Sequence, residues 1–496
     1  MSAETMVSAF PFILMALYVA LTYWLSFLGM RKTRGLAGFS IGNRDMNPVL
    51  VGLTMASSIA STATFVINPG FVYTHGLSAW LHYGVAATLG IAAALLLLCK
   101  GFRRIGAANA ALTIPHWIRE RYGSRMLALF FALINLLSIS FVVLILVGCA
   151  ILCSQLFGIP RQLALTLVLL FVFSYVLLGG TYAHAYTNTF QSILMIAIAV
   201  VLFVGGLKYF DGGFLNALGA VSPEYGAPFN AQSPLYHDFF SVLGSSFLIT
   251  FALMMQPHIL TKALYLKNDR DVNRFLVTTI VAGVIFSLML FVGFYARLSG
   301  LEIAEQDRVV AAYIGAEMGG TLGGRLFLAF ITVALLAAGM STLDGILVAL
   351  SAMVVNDLYL PFRREKPDEK SGLALSRWVL VGVGLIAFAL AWDPPRLVGL
   401  FAQKGVYGLA AASVVPIVFG VLSSKPVPAW IAGCAAALGI GVHLLLHLGL
   451  GFANPSVSAG YAIITAFVFA SVCLIGHRVL FPANEDSAPA RATFQP

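Results

Sequence analysis

A chain of 496 residues that is 60% hydrophobic and only 10% charged, with a mean hydropathy of +0.92 and a net charge of +9, is not an ordinary water-soluble enzyme, because soluble domains carry about 25% charged residues. The same balance speaks against nucleic acid as a partner and for an all-α integral membrane protein whose surroundings are the lipid bilayer. Cys99, Cys149, Cys153, Cys434 and Cys473 are scattered through apolar stretches, without the paired spacing of a zinc site or a disulfide framework.

Thirteen apolar runs are long enough to cross a bilayer, at about 20 residues each. They predict membrane spans at roughly 7–29, 48–74, 78–98, 127–156, 163–182, 189–207, 239–261, 275–296, 326–355, 378–392, 405–421, 427–449 and 457–476. The tenth and eleventh are short and extend if Arg377 and Lys404 snorkel toward the headgroups. The first run reads as a span and not a cleaved leader, since no basic residue precedes it and Arg31-Lys32-Thr33-Arg34 follows it. Basic residues collect on the cytoplasmic side. The connections after runs 1, 3, 5, 7, 9 and 11, with the C-terminal tail, hold 22 of the 29 Lys and Arg, and the opposite set holds 7. This predicts an external N-terminus, a cytoplasmic C-terminus and a single membrane domain over 1–496.

The second run is rich in hydroxyls: Thr54, Ser57, Ser58, Ser61, Thr62 and Thr64 fall within eleven residues, followed by Asn68-Pro69-Gly70. Small residues of this kind let helices approach closely. They also suit a discontinuous helix whose freed carbonyls and hydroxyls coordinate a hard cation. The ninth run offers a partner, with adjacent hydroxyls at Ser341 and Thr342 and the carbonyl of Ala338 one turn earlier. Two carbonyls from the second run would complete a five-oxygen cage suited to sodium, although such hydroxyls often bond back to their own helix.

Within the thirteen runs the only residue charged at neutral pH is Asp344. Intramembrane charge costs roughly 3 kcal/mol on insertion scales, and a row of proton-relay carboxylates is absent. Asp344 either tunes the adjacent hydroxyl site or carries a proton; the simpler expectation is a carboxylate that faces a water-accessible inner vestibule and pairs locally. His82, His258, His443 and His447 are dispersed and read as satisfied polar core. No nucleophile–base pairing or metal-ligand cluster suggests an enzyme.

These segments in this order resemble the sodium:solute symporter family. The resemblance is carried by Gly38-Phe39-Ser40-Ile41-Gly42-Asn43-Arg44, the hydroxyl-rich run ending in Asn68-Pro69-Gly70, and Gly179-Gly180-Thr181-Tyr182-Ala183-His184-Ala185-Tyr186-Thr187-Asn188-Thr189-Phe190-Gln191. It continues in Pro257-His258 with Lys262, Lys267-Asn268-Asp269-Arg270, Ala338 through Asp344, and Asn356-Asp357-Leu358-Tyr359. It implies a leucine-transporter-like fold: a leading helix at 7–29, two inverted five-helix repeats at about 48–207 and 239–421, and trailing helices at 427–449 and 457–476. It also implies a cytoplasmic (inner) membrane location and symport of a small organic solute with sodium. By the resemblance, the shared sodium site falls on the carbonyls of Ser57, Ala60 and Ala338 and the hydroxyls of Ser341 and Thr342.

Two departures bear on function. Tyr186-Thr187-Asn188 stands where many members have Trp-Thr-Asp, which weakens the case for a second sodium site, and Ile59 stands where some amino-acid-transporting members carry an acid. The substrate pocket is expected beside the sodium site, at Ser61, Thr62 and Thr64, with Tyr83 and Gln256 as further candidates. The stretches Gln256–Lys262 and Ala391-Trp392-Asp393-Pro394-Pro395 look most like the pantothenate and monocarboxylate branch, which points to a carboxylate. The rival expectations are an amino acid such as proline, a sugar, or proton coupling on the same fold.

Overall fold

The computed structural model describes residues 3–33, 35–363, 369–394 and 398–481, so Pro395 and the tail to Pro496 lie outside the described residues. Every span in it is helical. Eleven helices are long and apolar enough to cross a membrane unaided, and two bent helix pairs bring the number to 13 among the described residues. The straight spans are Ala9–Met30, Leu77–Ala108, Arg125–Phe157, Arg161–Leu178, Gly180–Phe210, Asp269–Leu298, Leu322–Phe362, Ser371–Trp392, Val398–Leu422, Ala429–Gly449 and Pro455–Leu480. The bent ones are the second, Pro48–Ile59 with Ala63–His75 at 54°, and the seventh, Phe240–Leu253 with Pro257–Tyr265 at 62°. The tenth and eleventh spans run through Arg377 and Lys404, as the sequence requires if those side chains reach the span ends.

Local chemistry sets both bends. The second span starts cleanly because Pro48 needs no donor at the first helical position and Asn47 Oδ1 accepts from the amide of Val49 at 2.9 Å. It stops at Ala60, whose φ of −85° and ψ of 77° leave the helical region. The Ser61 amide then bonds back to the Ile59 carbonyl and the Ala63 amide turns to Ser61 Oγ at 3.1 Å. In the seventh span Pro257 has no amide hydrogen and forces Gln256 into an extended conformation (φ −66°, ψ 148°). This second bend was not among the sequence expectations.

A third interruption separates the fifth and sixth spans. The expected connection at 183–188 is helical, and the break lies instead at Gly180, whose φ of +54° is open to glycine at little cost. Phe39 packs into the space a side chain there would fill, and its carbonyl accepts from Thr181 Oγ1 at 2.6 Å.

The ninth and eleventh spans form the centre, with 78% of their most apolar windows buried inside the protein. The ninth packs on the first, fourth, fifth, sixth and tenth spans and on the Pro48–Ile59 half of the second. Close approach depends on small residues: Thr62 is wedged between Gly148 of the fourth span and Gly339 of the ninth, and a Cβ on Gly339 would overlap Cys149 Sγ and Thr62 Oγ1. Overpacking of this kind costs roughly 1–3 kcal/mol. Gly339→Val is therefore expected to lower the thermal unfolding midpoint by several degrees, whereas Gly382→Val, which meets open space, should leave it unchanged; both are read by thermal denaturation of the purified protein.

Candidate functional site

The break in the second span lies directly against the middle of the ninth. Ser341 Oγ donates to the carbonyl of Ser57 at 3.0 Å or of Ala338 at 2.8 Å, and Thr342 Oγ1 to that of Ser57 at 3.2 Å or of Ser58 at 3.3 Å. Ala60, the capping residue, borders the cavity next to them. Asn188 of the sixth span ties the two elements together: its Nδ2 donates to the Ser341 carbonyl at 2.6 Å and lies 3.3 Å from Ser58 Oγ, while its Oδ1 is buried without a partner. Ser57, Ser58, Asn188, Ser341 and Thr342 are each at most 1% exposed.

Beside this oxygen cluster is a cavity of about 160 Å³. Ser61, Thr64, Tyr83 and Gln256 line it as the sequence suggests, together with Ser58, Asn68, His82, Gln403 and Tyr407. The Gln256 Oε1 is buried and unpartnered, and Tyr236 donates to Tyr83 Oη at 2.9 Å. Among the described residues the lining holds no Asp, Glu, Lys or Arg. Thr62 is the exception among the expected substrate residues. It does not line the cavity, because the bend turns its side chain away into the Gly148–Gly339 crevice.

The arrangement of Asp344 also differs from expectation. It is fully buried, not open to an inner vestibule, and its partners are distant in sequence. His184 Nδ1 donates to Oδ1 at 2.8 Å and Tyr175 to Oδ2 at 3.2 Å. His184 Nε2 is buried without a partner. Nor is Asp344 the only intramembrane charge. The bend at Pro257 carries Lys262, 1% exposed, into the interior, where its ammonium donates to the His258 carbonyl. The apolar run ends at Leu260-Thr261, one position short of Lys262, and a proline inside that run was the signal that the helix turns back inward. Of the four dispersed histidines, His82 and His443 are buried and bonded to backbone carbonyls, as expected of polar core.

The profile of the Sodium:solute symporter family matches residues 39–427, well over half the chain. The chain belongs to the sodium:solute symporter family. It is 28% identical over 485 residues to the sodium/pantothenate symporter of Haemophilus influenzae, covering 94% of this chain and 96% of that protein. It is 25% identical over 443 residues to the high-affinity proline transporter of Bacillus subtilis, covering 85% and 88%. Among solved structures, a substrate-bound, outward-open Na+-coupled sialic acid symporter superposes with a TM-score of 0.76 at 16% identity, over 95% of this chain and 98% of that one. The leucine-transporter-like fold is thereby shown. This symporter is a multi-pass membrane transporter, not an enzyme, and sodium is its co-transported ion.

The loop between the eighth and ninth spans carries a titrating group. Asp307 lies between the eighth and ninth spans, where its carboxyl accepts from the amide of Val398, and burial pushes its pKa up to about 6. The neighbouring Gln306 carbonyl sits where a Cβ on Gly70 would be, and Val398 leads into Gly399, which lines the cavity. A carboxyl raised from about 3.8 to about 6 favours the docked loop fully below the lower value and loses that contribution as pH rises through the upper one. Asp307→Asn is therefore expected to abolish a pH dependence of loop protection between about pH 4 and 6, measured by hydrogen exchange over residues 302–308 with the wild type alongside.

Proposed function

We propose that this symporter imports a small organic carboxylate together with sodium by alternating access, and that sodium is held by the carbonyls of Ser57, Ala60 and Ala338 and the hydroxyls of Ser341 and Thr342. The observation that carries this reading is the meeting of both hydroxyls with the Ser57 carbonyl across the break, at 3.0 and 3.2 Å. A hard cation takes neutral oxygens, and these are already gathered, so binding replaces hydroxyl–carbonyl bonds without moving a helix far. Sodium then joins the second span to the ninth and favours the state that binds solute, which is the differential affinity that coupling needs.

The solute fits beside the ion. Ser61 and Thr64 offer hydroxyls at the start of the half-helix that begins at Ala63, whose positive end favours a carboxylate. Tyr83 and Gln256 face the same space and set its far wall. The likeness to a sodium/pantothenate symporter over nearly the whole chain supports the carboxylate reading. An amino acid such as proline is the second reading, favoured by the Bacillus relative; the apolar Ile59 in the cavity wall stands against it. The excess of Lys and Arg on alternate connections, 22 against 7, supports a cytoplasmic C-terminus and an inner membrane orientation.

Proteoliposomes of the purified protein, offered labelled pantothenate, short monocarboxylates, proline and a sugar in sodium and then in potassium, test this. Uptake of one carboxylate only in sodium is expected; uptake of proline or sugar would discard the carboxylate, and uptake indifferent to sodium would discard the cage. Replacing Ser341 and Thr342 together with Ala should raise the sodium concentration for half-maximal uptake at least about tenfold, the equivalent of about 1.4 kcal/mol, with folding retained. Ser61→Ala should raise the solute KM more than the sodium requirement, whereas Thr62→Ala, away from the cavity, should lower thermal stability and leave KM near the wild-type value.

A further inference from the structure

A second, smaller cavity of about 20 Å³ lies beyond His258, which lines both spaces. Its walls are Ser40, Thr113, His184, Thr261 and Lys262, with apolar residues of the ninth span. On the proposed orientation this is the cytoplasmic side: Ser40 follows Arg31 and Lys32, and Thr113 lies between Arg104 and Arg119. Arg44, four residues after Ser40, donates its guanidinium to the carbonyls of Ala107 and Ala111 at 3.2 Å each.

Three observations show that this space is built for an anion. Lys262 is the one Lys or Arg among the described residues that is buried. Of the three donors an ammonium carries, only one reaches a carbonyl, that of His258. Ser40 Oγ, in a residue 7% exposed, is buried and has no partner. A buried donor left unmade carries its desolvation penalty uncompensated, and both groups border the cavity. The acids nearby are already engaged and do not line it: Asp344 accepts from His184 and Tyr175, and Asp357 from Thr113 at 2.6 Å. A space of about 20 Å³ exceeds the roughly 10–15 Å³ that one water needs, which is room for one oxygen of a carboxylate beside these two groups.

We propose that this cavity is an anion station on the cytoplasmic side of the central cavity, where the carboxylate of the departing solute is received by the Lys262 ammonium and the Ser40 hydroxyl. The station rests on the carboxylate reading above. It gives the carboxylate an amine partner only after it has left the sodium-linked site, so that the one described buried Lys or Arg lies on the way out. Charge-assisted hydrogen bonds of this type are about twice as strong as neutral ones.

The test is thermal unfolding of the purified full-length protein in potassium buffers without sodium, at fixed ionic strength, with acetate, pantothenate or phosphate added. A ligand of the folded state raises the midpoint by mass action. Acetate or pantothenate should raise it by about 2 °C at saturating concentration in the wild type and in Lys262→Arg. Lys262→Gln should abolish the shift, and Ser40→Ala should require several-fold more anion for the same shift. A shift of equal size in wild type and Lys262→Gln, or none in the wild type, overturns the station. Phosphate acting where the carboxylates do not would make the site one for a cytosolic inorganic anion and overturn its part in solute release. If Lys262→Gln does not fold, the Ser40→Ala titration decides alone. Should the uptake panel select a neutral solute while the Lys262-dependent anion shift persists, the carboxylate reading fails and the binding site itself stands.

Discussion

Within a bilayer every backbone donor and acceptor must find a partner inside the protein, and this symporter departs from continuous helix where that rule is hardest to satisfy. At Ala60–Thr62 the ladder of the second span is interrupted, and the groups it frees are met by side chains: Ser341 and Thr342 at the Ser57 and Ser58 carbonyls, Ser61 Oγ at the Ala63 amide. The hydroxyls are therefore structural before they are functional. They hold open a polar break whose oxygens a hard cation can take over, and the glycines at 148 and 339 bring the fourth and ninth spans close enough for Thr62 to lock one side of it.

Much of this was legible in the sequence. Runs of about 20 apolar residues count the spans well because lipid leaves a helix little choice, and thirteen runs correspond to the thirteen spans once each bent pair is taken as one. The break in the second span was visible in its density of hydroxyls. The direction in which each hydroxyl points was not. Ser61, Thr62 and Thr64 are alike in sequence, but the non-helical Ala60 rotates Thr62 out of the cavity while its neighbours remain.

The charged interior was missed for a related reason. A criterion based on apolar runs ends a span at its first charge, so it placed Lys262 outside, although Pro257 turns that half-helix back among the sixth and ninth spans. Asp344 was found, but its partners lie about 160 residues away at His184 and Tyr175, and no local pattern announces a pairing between separate helices. The expected connection at 183–188 failed similarly: polar residues there bond across to neighbouring spans, as Asn188 does to Ser341, so the segment stays helical inside the protein and the turn falls on Gly180.

Among the described residues no Asp, Glu, Lys or Arg lines the central cavity, so no described acidic or basic side chain there pairs with the ion and the solute. Over a full cycle the charge moved across the membrane is the sum of ion and solute. A monocarboxylate with one sodium crosses as a neutral load, on which membrane voltage does no work; a neutral solute with one sodium moves one elementary charge and gains about 2.3 kcal/mol per 100 mV. The driving force therefore depends on the identity of the passenger, so that accumulation of an anion with one sodium follows the sodium concentration ratio while accumulation of a neutral solute follows voltage as well.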